Sequence, residues 1–532
     1  MKRRDFLAGG VAAAATALAA PSVHGQAAGA RVLRFVPQAN LANLDPIWGT
    51  QYVVRNGSAL IWDTLYGVDS KLEPRRQMVE SEEASADFKV WTFRLRPGLK
   101  FHNGEPVLAR DVVQSLRRWM PRDPLGQLIR ARLDALEVVD DRTFRFRLNA
   151  PFTKMLFALG KNNTPMAFIM PEAVAKTDSF TQIRPEDIIG SGPMRFKRDE
   201  WVPGSRAVFE RFADYVPREE PSDWLSGGKR INFDRIEWHI IPDPATAAGA
   251  LQNGEVDWWE TPIPDLVPVL RRNRNIVVDI ADPLGNIGSF RFNHLHPPFN
   301  DVRARRAIQM ALSQEDYMRA VVGNDDALWK PQPSFFAPGT PAYTEAGGEI
   351  LKGPRDIAGA RRLLAEAGYT NAPITVLVAQ DQAPLKAMGE VTNALLRTLG
   401  MTVDFVATDW GTVGQRRASK APPGQGGWHI FHTWHAGADC IAPASYNAIR
   451  ANGDGAWFGW PNSEEVEAAI AKWLNAATPA EEKAALEAIN RAAMAHVVYV
   501  PTGFFLGYQA WRRNVSGITK GPLPFFWGVS KS

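Results

Sequence analysis

The sequence predicts an α/β protein of two or three domains, and three features carry that reading. From about residue 300 onward, segments with strand patterning alternate with segments of helical periodicity, the order expected of parallel βαβ units. Earlier, "WTFRLR" and "FRFRL" alternate apolar and polar residues, as half-buried strands do. A chain of 532 residues, 45% apolar and 22% charged, has an ordinary soluble composition but is too long for one hydrophobic core.

Along the chain, the first expected element is an export signal over 1–28. "MKRRDFLAGGVAAAATALAAPSVHGQAAGA" has a basic start, an apolar run from Leu7 to Ala20, and small residues around a cut between Gly25 and Ala30. The run is too short and too weakly apolar for a stable span, and no other stretch approaches the roughly 20 apolar residues a span requires. Arg3-Arg4-Asp5-Phe6-Leu7 resembles the twin-arginine motif, and no cysteine follows the run to carry a lipid anchor. Trp91, Phe93 and Leu95 then alternate with Thr92, Arg94 and Arg96, marking a strand that Pro97-Gly98 ends. After a turn at Asn103-Gly104, Val112, Val113, Leu116, Trp119 and Met120 recur at helical spacing. Phe144, Phe146 and Leu148 mark a second strand, with Arg145 and Arg147 on its solvated face.

Beyond residue 300, one helix is begun by Asn300 or Asp301, and another by Ser313 and Asp316 in a capping box and closed by Gly323. "DIAGARRLLAEAGY" is a further helix, with Gly368 just past its end. "ITVLVAQ", "PLKAMGEVTNALLRTLG" and "MTVDFVATDW" read as strand, helix, strand in a parallel unit. Trp428 to Trp434 is the next strand. Two alanine-rich helices, near Glu464 to Asn475 and Pro479 to Ala495, precede the aromatic tail "VVYVPTGFFLGYQAW".

Charge and motifs narrow the function. Lys2, Arg3, Arg4 and Asp5 contribute +2 of the net +4, which leaves no concentrated basic face for nucleic acid. Cys440 is the only cysteine, so no intrachain disulfide forms. The chain has no G-x-S-x-G elbow, phosphate-cradling loop, H-E-x-x-H or Cys-x-x-Cys. "GSGPM" carries a proline where the elbow needs its second glycine, and reads as a turn. These absences argue against a secreted hydrolase, and no cofactor is implied. Among eighteen tryptophans, some are expected to line a ligand cleft.

"GWHIFHTWHAGADC" raises the question of a metal site, because His429, His432 and His435 are followed by Asp439 and Cys440. On a strand, His429 and His435 face one way and His432 the other, so the three do not converge. A pair drawn from His435, Asp439 and Cys440 is all that remains. His294 and His296 have nothing nearby to complete a set. A carboxylate in a strand-end loop among aromatic residues suits an organic ligand better than a metal.

These residues reach a resemblance. "WTFRLRPGLKFHNGEPVLARDVVQSL", "LDP" at Leu44 to Pro46, "GSGPMRF", "FNHLHPPFNDVRARRAIQMAL", "LLAEAGY" and "ADCIAPASY" occur in the order found in the peptide/nickel-binding family 5 of extracytoplasmic solute-binding proteins, which serve ABC importers. The chain resembles that family over nearly its whole exported length. The resemblance implies a two-lobed periplasmic-binding-protein fold with an additional inserted domain. Lobe I is expected at 31–64, 184–286 and 502–532, the insertion at 65–183, and lobe II at 287–501. Two crossing strands, near "GNIGSFRFN" and "VPTGFFLGYQ", form the expected hinge.

It further implies a non-enzymatic periplasmic monomer that closes on a small ligand and delivers it to inner-membrane permease subunits. In peptide-binding relatives an aspartate after this strand pairs with the ligand's α-amino group; by position relative to Pro443 it is Asp439 here. Trp434, His435, Tyr446, Trp259 and Tyr52 complete the candidate ligand contacts. The gap from Trp434 to Pro443 is two residues longer than the family's usual one, and "IWGTQY" lacks the family's acidic residue. Nickel chelates, sugars and a sensor role therefore stay open beside a peptide-like or other amine-bearing ligand.

Overall fold

Two large sheets and a smaller four-stranded one organise the chain in a computed structural model that describes residues 31–476 and 478–532. The expected export segment at 1–28 lies outside the described residues. The first sheet has seven strands in the order Ile276–Ile280, Tyr508–Arg512, Trp258–Trp259, Val32–Val36, Arg235–His239, Arg206–Arg211 and Met194–Phe196. Val32–Val36 runs parallel to Arg235–His239 and to Trp258–Trp259. Leu33 and Phe35 point to one face, where Phe35 packs against Trp238, Trp258 and Phe526 at ring distances of 5.0–5.4 Å. Trp238, fully buried there, is thus a core residue rather than a cleft residue.

A four-stranded antiparallel sheet follows the order Val79–Ala84, Val90–Leu95, Thr143–Leu148, Leu133–Asp140. Register pairs Phe93 with Phe144 and Trp91 with Phe146, so the apolar sides of both anticipated strands meet on one face. The helix Ala109–Trp119 buries Val112, Leu116 and Trp119. The outward arginines meet glutamates on neighbouring strands, Arg94 with Glu80 and Arg147 with Glu137.

The second large sheet has six strands in the order Trp329–Lys330, Val500–Phe505, Asn286–Phe292, Ile430–Ala436, Ile374–Ala379 and Val403–Thr408. Ile374–Ala379 and Val403–Thr408 are parallel and joined by the helix Ala383–Thr398, as the alternation predicts. The neighbouring strand begins at Ile430 rather than Trp428. Its approach is altered because the His429 ring takes the Thr375 amide, Nδ1 accepting at 2.9 Å, where a regular ladder would offer a carbonyl. Asp301, Ser313, Asp356, Ser463 and Thr478 cap their helices through side-chain oxygens.

The chain crosses between the two large sheets twice, over 281–285 and over 506–507, and the crossings touch through Ala281 N–H to Gly507 O at 2.9 Å. The boundaries expected at 286/287 and 501/502 fall within second-sheet strands. Gly285, at φ +60°, allows the first crossing: a Cβ there would lie 2.2 Å from the Phe504 ring. Among the described residues, no helix is long and apolar enough to cross a membrane.

Candidate functional site

Two adjoining cavities lie between the large sheets, against the crossings. The larger, about 400 Å³, is walled by Trp259 from the first sheet and Glu260 just after it, Asp282 from the first crossing, and Trp434 and Phe505 from the second sheet. The smaller, about 30 Å³, is lined by residues that include Thr50, Arg417, His435, Asp439 and Trp457. Gln38, Tyr52 and Trp434 line both.

Tyr52 opens the helix Tyr52–Ile61, and Arg55 lies one turn on, on the same face. Asp439 sits in the short turn Gly437–Asp439 after the strand Ile430–Ala436. The two segments meet: Tyr52 donates to Asp439 Oδ2 at 2.7 Å and accepts from the Ala436 amide at 2.8 Å. Asn162 donates to Asp439 Oδ1 at 3.1 Å, and Arg55 stands 3.7 Å from the same oxygen. Asp439 is 5% exposed, and burial raises its carboxyl pKa even though Arg55 and Tyr52 oppose that rise. The carboxylate that the sequence analysis assigns to a ligand ammonium thus already has protein partners in this arrangement. Gln382 Nε2 to Gln38 O, at 2.8 Å, is a second link across the cleft.

Asp282 and Glu260 line the larger cavity. Asp282 is 7% exposed; its Oδ1 accepts from the Leu284 amide at 2.9 Å, and its Oδ2 has no hydrogen-bond partner among the described residues. Burial, reinforced by the Asp439 charge, pushes its pKa up to about 6. Glu260 accepts from Gln38 N at 2.8 Å and from Asn56 Nδ2 at 3.0 Å, and burial raises it to about 7. Asp282 and Glu260 both feel the Arg55 charge, yet burial outweighs it and raises both, so a positive charge placed beside them would favour their ionised forms.

All six residues singled out from the sequence line these cavities: Trp259 the larger, Tyr52 and Trp434 both, His435, Asp439 and Tyr446 the smaller. Tyr446 is buried behind His435, its hydroxyl 2.7 Å from that of Tyr499. The three histidines go to separate places. His429 contacts Thr375, His432 Nε2 is 2.7 Å from Thr392 Oγ1 in the second-lobe core, and His435 lies against Tyr446, Trp457 and Tyr499. Burial lowers His435 to about 3, so it is neutral. Among the described residues, no group of three His, Cys, Asp or Glu is placed to hold a metal ion. Asp282, Glu260, Arg55 and Arg417 were missed by the sequence reading; the turn "ADPLGN" just ahead of the hinge strand was the available signal for Asp282.

The family model of bacterial extracellular solute-binding proteins, family 5 Middle, matches residues 73–443. The chain belongs to this family. A probable peptide ABC transporter periplasmic-binding protein of Sinorhizobium fredii is 34% identical over 537 residues, covering 100% of both chains. Two solved family-like folds superpose over 94% of this chain. One is the PBP AgaA of A. tumefacien R10 in complex with agropinic acid, at TM-score 0.77 and 20% identity over 99% of its length. The other is a dipeptide binding protein of Pseudoalteromonas sp. SM9913 in complex with Met-Leu, at TM-score 0.76 and 20% identity over 100% of its length. At these identities the likeness establishes the mixed α/β fold. As a member of an extracellular solute-binding family, the chain works outside the cytoplasm.

Proposed function

We propose that the chain captures a peptide-like ligand with a free amino group between its two lobes and delivers it, as a non-enzymatic periplasmic monomer, to the permease of an ABC importer. The observation that carries this reading is Asp282, a buried carboxylate at the crossing with one oxygen unpartnered among the described residues, lining a cavity it shares with Glu260. An ammonium group there gains a charge-assisted hydrogen bond, and the buried oxygen gains the partner it lacks. Trp259, Trp434 and Tyr52 offer apolar walls for side chains, while Asp439, through Tyr52 and Arg55, ties the second lobe to the first. A ligand touching both lobes favours the closed form, with 281–285 and 506–507 as the hinge, and the permease then reads closure. The names of relatives support a peptide: the Sinorhizobium fredii protein is named for peptide transport. Twin-arginine export through Arg3 and Arg4 belongs to the same proposal.

Calorimetry with Met-Leu and N-acetyl-Met-Leu tests it. The free-amine peptide is expected to bind, and acetylation to weaken binding by about 2 to 5 kcal/mol, the usual cost of losing one partner of a buried charged pair. Equal affinities, or none for either peptide, would remove the amine-bearing peptide from the account.

A further inference from the structure

Charge is distributed one-sidedly around the larger cavity. Among the described residues that line it, Glu260, Asp265, Asp282 and Asp381 are acids, and Arg319 alone is a base. Arg319 is already taken, with Glu315 at 2.8 Å and Asp326 at 3.4 Å. Among the described residues, no lysine, arginine or histidine forms an ion pair with any of the four acids. Arg55 acts on Glu260 and Asp282 only from a distance, its nearer partner being Asp439 at 3.7 Å.

Elsewhere the fold gives its buried acids a counter-charge. Asp45 meets Arg118 at 2.6 Å, Asp63 meets Lys229 at 2.8 Å and Asp123 meets Lys161 at 2.7 Å, all six side chains almost without exposure. A carboxylate taken out of water without such a partner is costly. Asp265 is exposed and screened by water, which puts the weight on the other three acids of the cavity. Asp282 is the sharpest case, because its buried Oδ2 has no hydrogen-bond partner among the described residues.

Asp381 comes from the opposite lobe, between the strand Ile374–Ala379 and the helix Ala383–Thr398. Its Oδ1 accepts from the Trp410 amide at 2.8 Å, and burial, reinforced by the Asp409 charge, raises its pKa. The next residue, Gln382, makes the bond to Gln38 O across the cleft, so Asp381 stands where the lobes meet. The charges acting on Asp282 are those of Asp439 and Arg55, and the one acting on Asp381 is that of Asp409; the two carboxylates are separate stations. A single ammonium group at Asp282 leaves Asp381 without a counter-charge.

We propose that the larger cavity selects a ligand with two positive charges, a peptide carrying a basic side chain besides its free amine, and that Asp381 receives the side-chain cation. The proposal rests on the reading of this cavity as the site of an amine-bearing peptide, and it narrows the class of peptide. Trp259 and Trp434 suit the apolar stem of a lysine or arginine as well as its charged head. Because Asp282 lies at the crossing and Asp381 in the second lobe, a dication also ties the second lobe to the hinge. A neutral side chain forgoes the second charge-assisted bond, and an acidic one meets repulsion.

The test uses the exported chain and two kinds of probe at neutral pH. Calorimetry with Met-Lys, Met-Leu and Met-Glu varies one side-chain charge while keeping the amine; melting curves with cadaverine against pentylamine read the double charge without a peptide. Met-Lys is expected to bind wild type about tenfold or more tightly than Met-Leu, with Met-Glu weakest, and the advantage of Met-Lys should shrink as salt is raised. Cadaverine should raise the melting midpoint more than pentylamine does. Asp381→Asn keeps an acceptor for the Trp410 amide and should lose most of the Met-Lys advantage; an undiminished advantage removes Asp381 from the proposal. Equal affinities of Met-Lys and Met-Leu overturn the proposal on wild-type protein alone and leave the peptide reading standing. Stabilisation by cadaverine with no binding of any of the three peptides keeps the doubly cationic ligand and removes the peptide. No binding of the peptides and no effect of cadaverine overturn both.

Discussion

Asp282→Asn separates ligand binding from stability. The Asp282 carboxylate is nearly buried, close enough to Asp439 to feel its charge, and one oxygen is unpartnered among the described residues. Its pKa stands at about 6 instead of 3.8. An acid raised by folding is most favourable to the native state where it is protonated in both states. Its contribution is present below about pH 4 and is lost as pH rises toward 6, where the unfolded chain has given up its proton and the native chain has not. At 1.36 kcal/mol per tenfold change in proton affinity, the charge costs the ligand-free fold at most about 3 kcal/mol at pH 7.5. Asparagine keeps the acceptor for the Leu284 amide and drops the charge, so the variant should be more stable than wild type at pH 7.5 by up to that amount. The difference should vanish near pH 4. Affinity moves the other way, by about 2 to 5 kcal/mol for Met-Leu, or roughly 30- to 4,000-fold. Denaturant melts at both pH values and calorimetry at pH 7.5 measure the two halves. A variant less stable than wild type at pH 7.5, or one with unchanged affinity, would refute the assignment of an uncompensated carboxylate to the ligand site.

Four further outcomes are expected. With Asp282 at about 6 and Glu260 at about 7, affinity for a free-amine peptide should fall as pH is lowered from 8 to 5; a calorimetric series that stays flat would mean neither acid meets the amine. Tyr52→Phe leaves the Ala436 amide and an Asp439 oxygen without their shared hydroxyl, and should cost about 1 to 3 kcal/mol in urea melts. Replacing Arg3 and Arg4 with Lys should retain the precursor in the cytoplasm, measured by fractionation. Micromolar nickel should leave the melting temperature unchanged, since the three clustered histidines point to separate places; a shift of several degrees would contradict that.

Much of the architecture could be read from periodicity. Alternation at Trp91, Phe93 and Leu95 and at Phe144, Phe146 and Leu148 is a local property of strands buried on one side, and the helix between Ile374–Ala379 and Val403–Thr408 forces their parallel pairing. The strand at Ile430 was displaced by two residues because a histidine ring, not a backbone group, takes the Thr375 amide, and propensity carries no trace of such an exchange. The site was legible in part: aromatic residues and an acid near a strand end mark a cleft. What they do there depends on partners far away in sequence. The sequence assigns Asp439 to a ligand ammonium, yet Tyr52 and Arg55, 387 and 384 residues distant, already meet it. Asp282 is a single charged residue in an ordinary turn, distinguished only by what the fold fails to place beside it.

The most direct test of the account is the identity of the molecule that leaves with the protein. Native mass spectrometry of the chain purified from the periplasm, followed by release and derivatisation with an amine reagent and a carboxyl reagent, should yield a small species that reacts with both. A bound species that reacts with neither, such as a neutral sugar, would contradict the central claim that the cleft holds a ligand by its ammonium group.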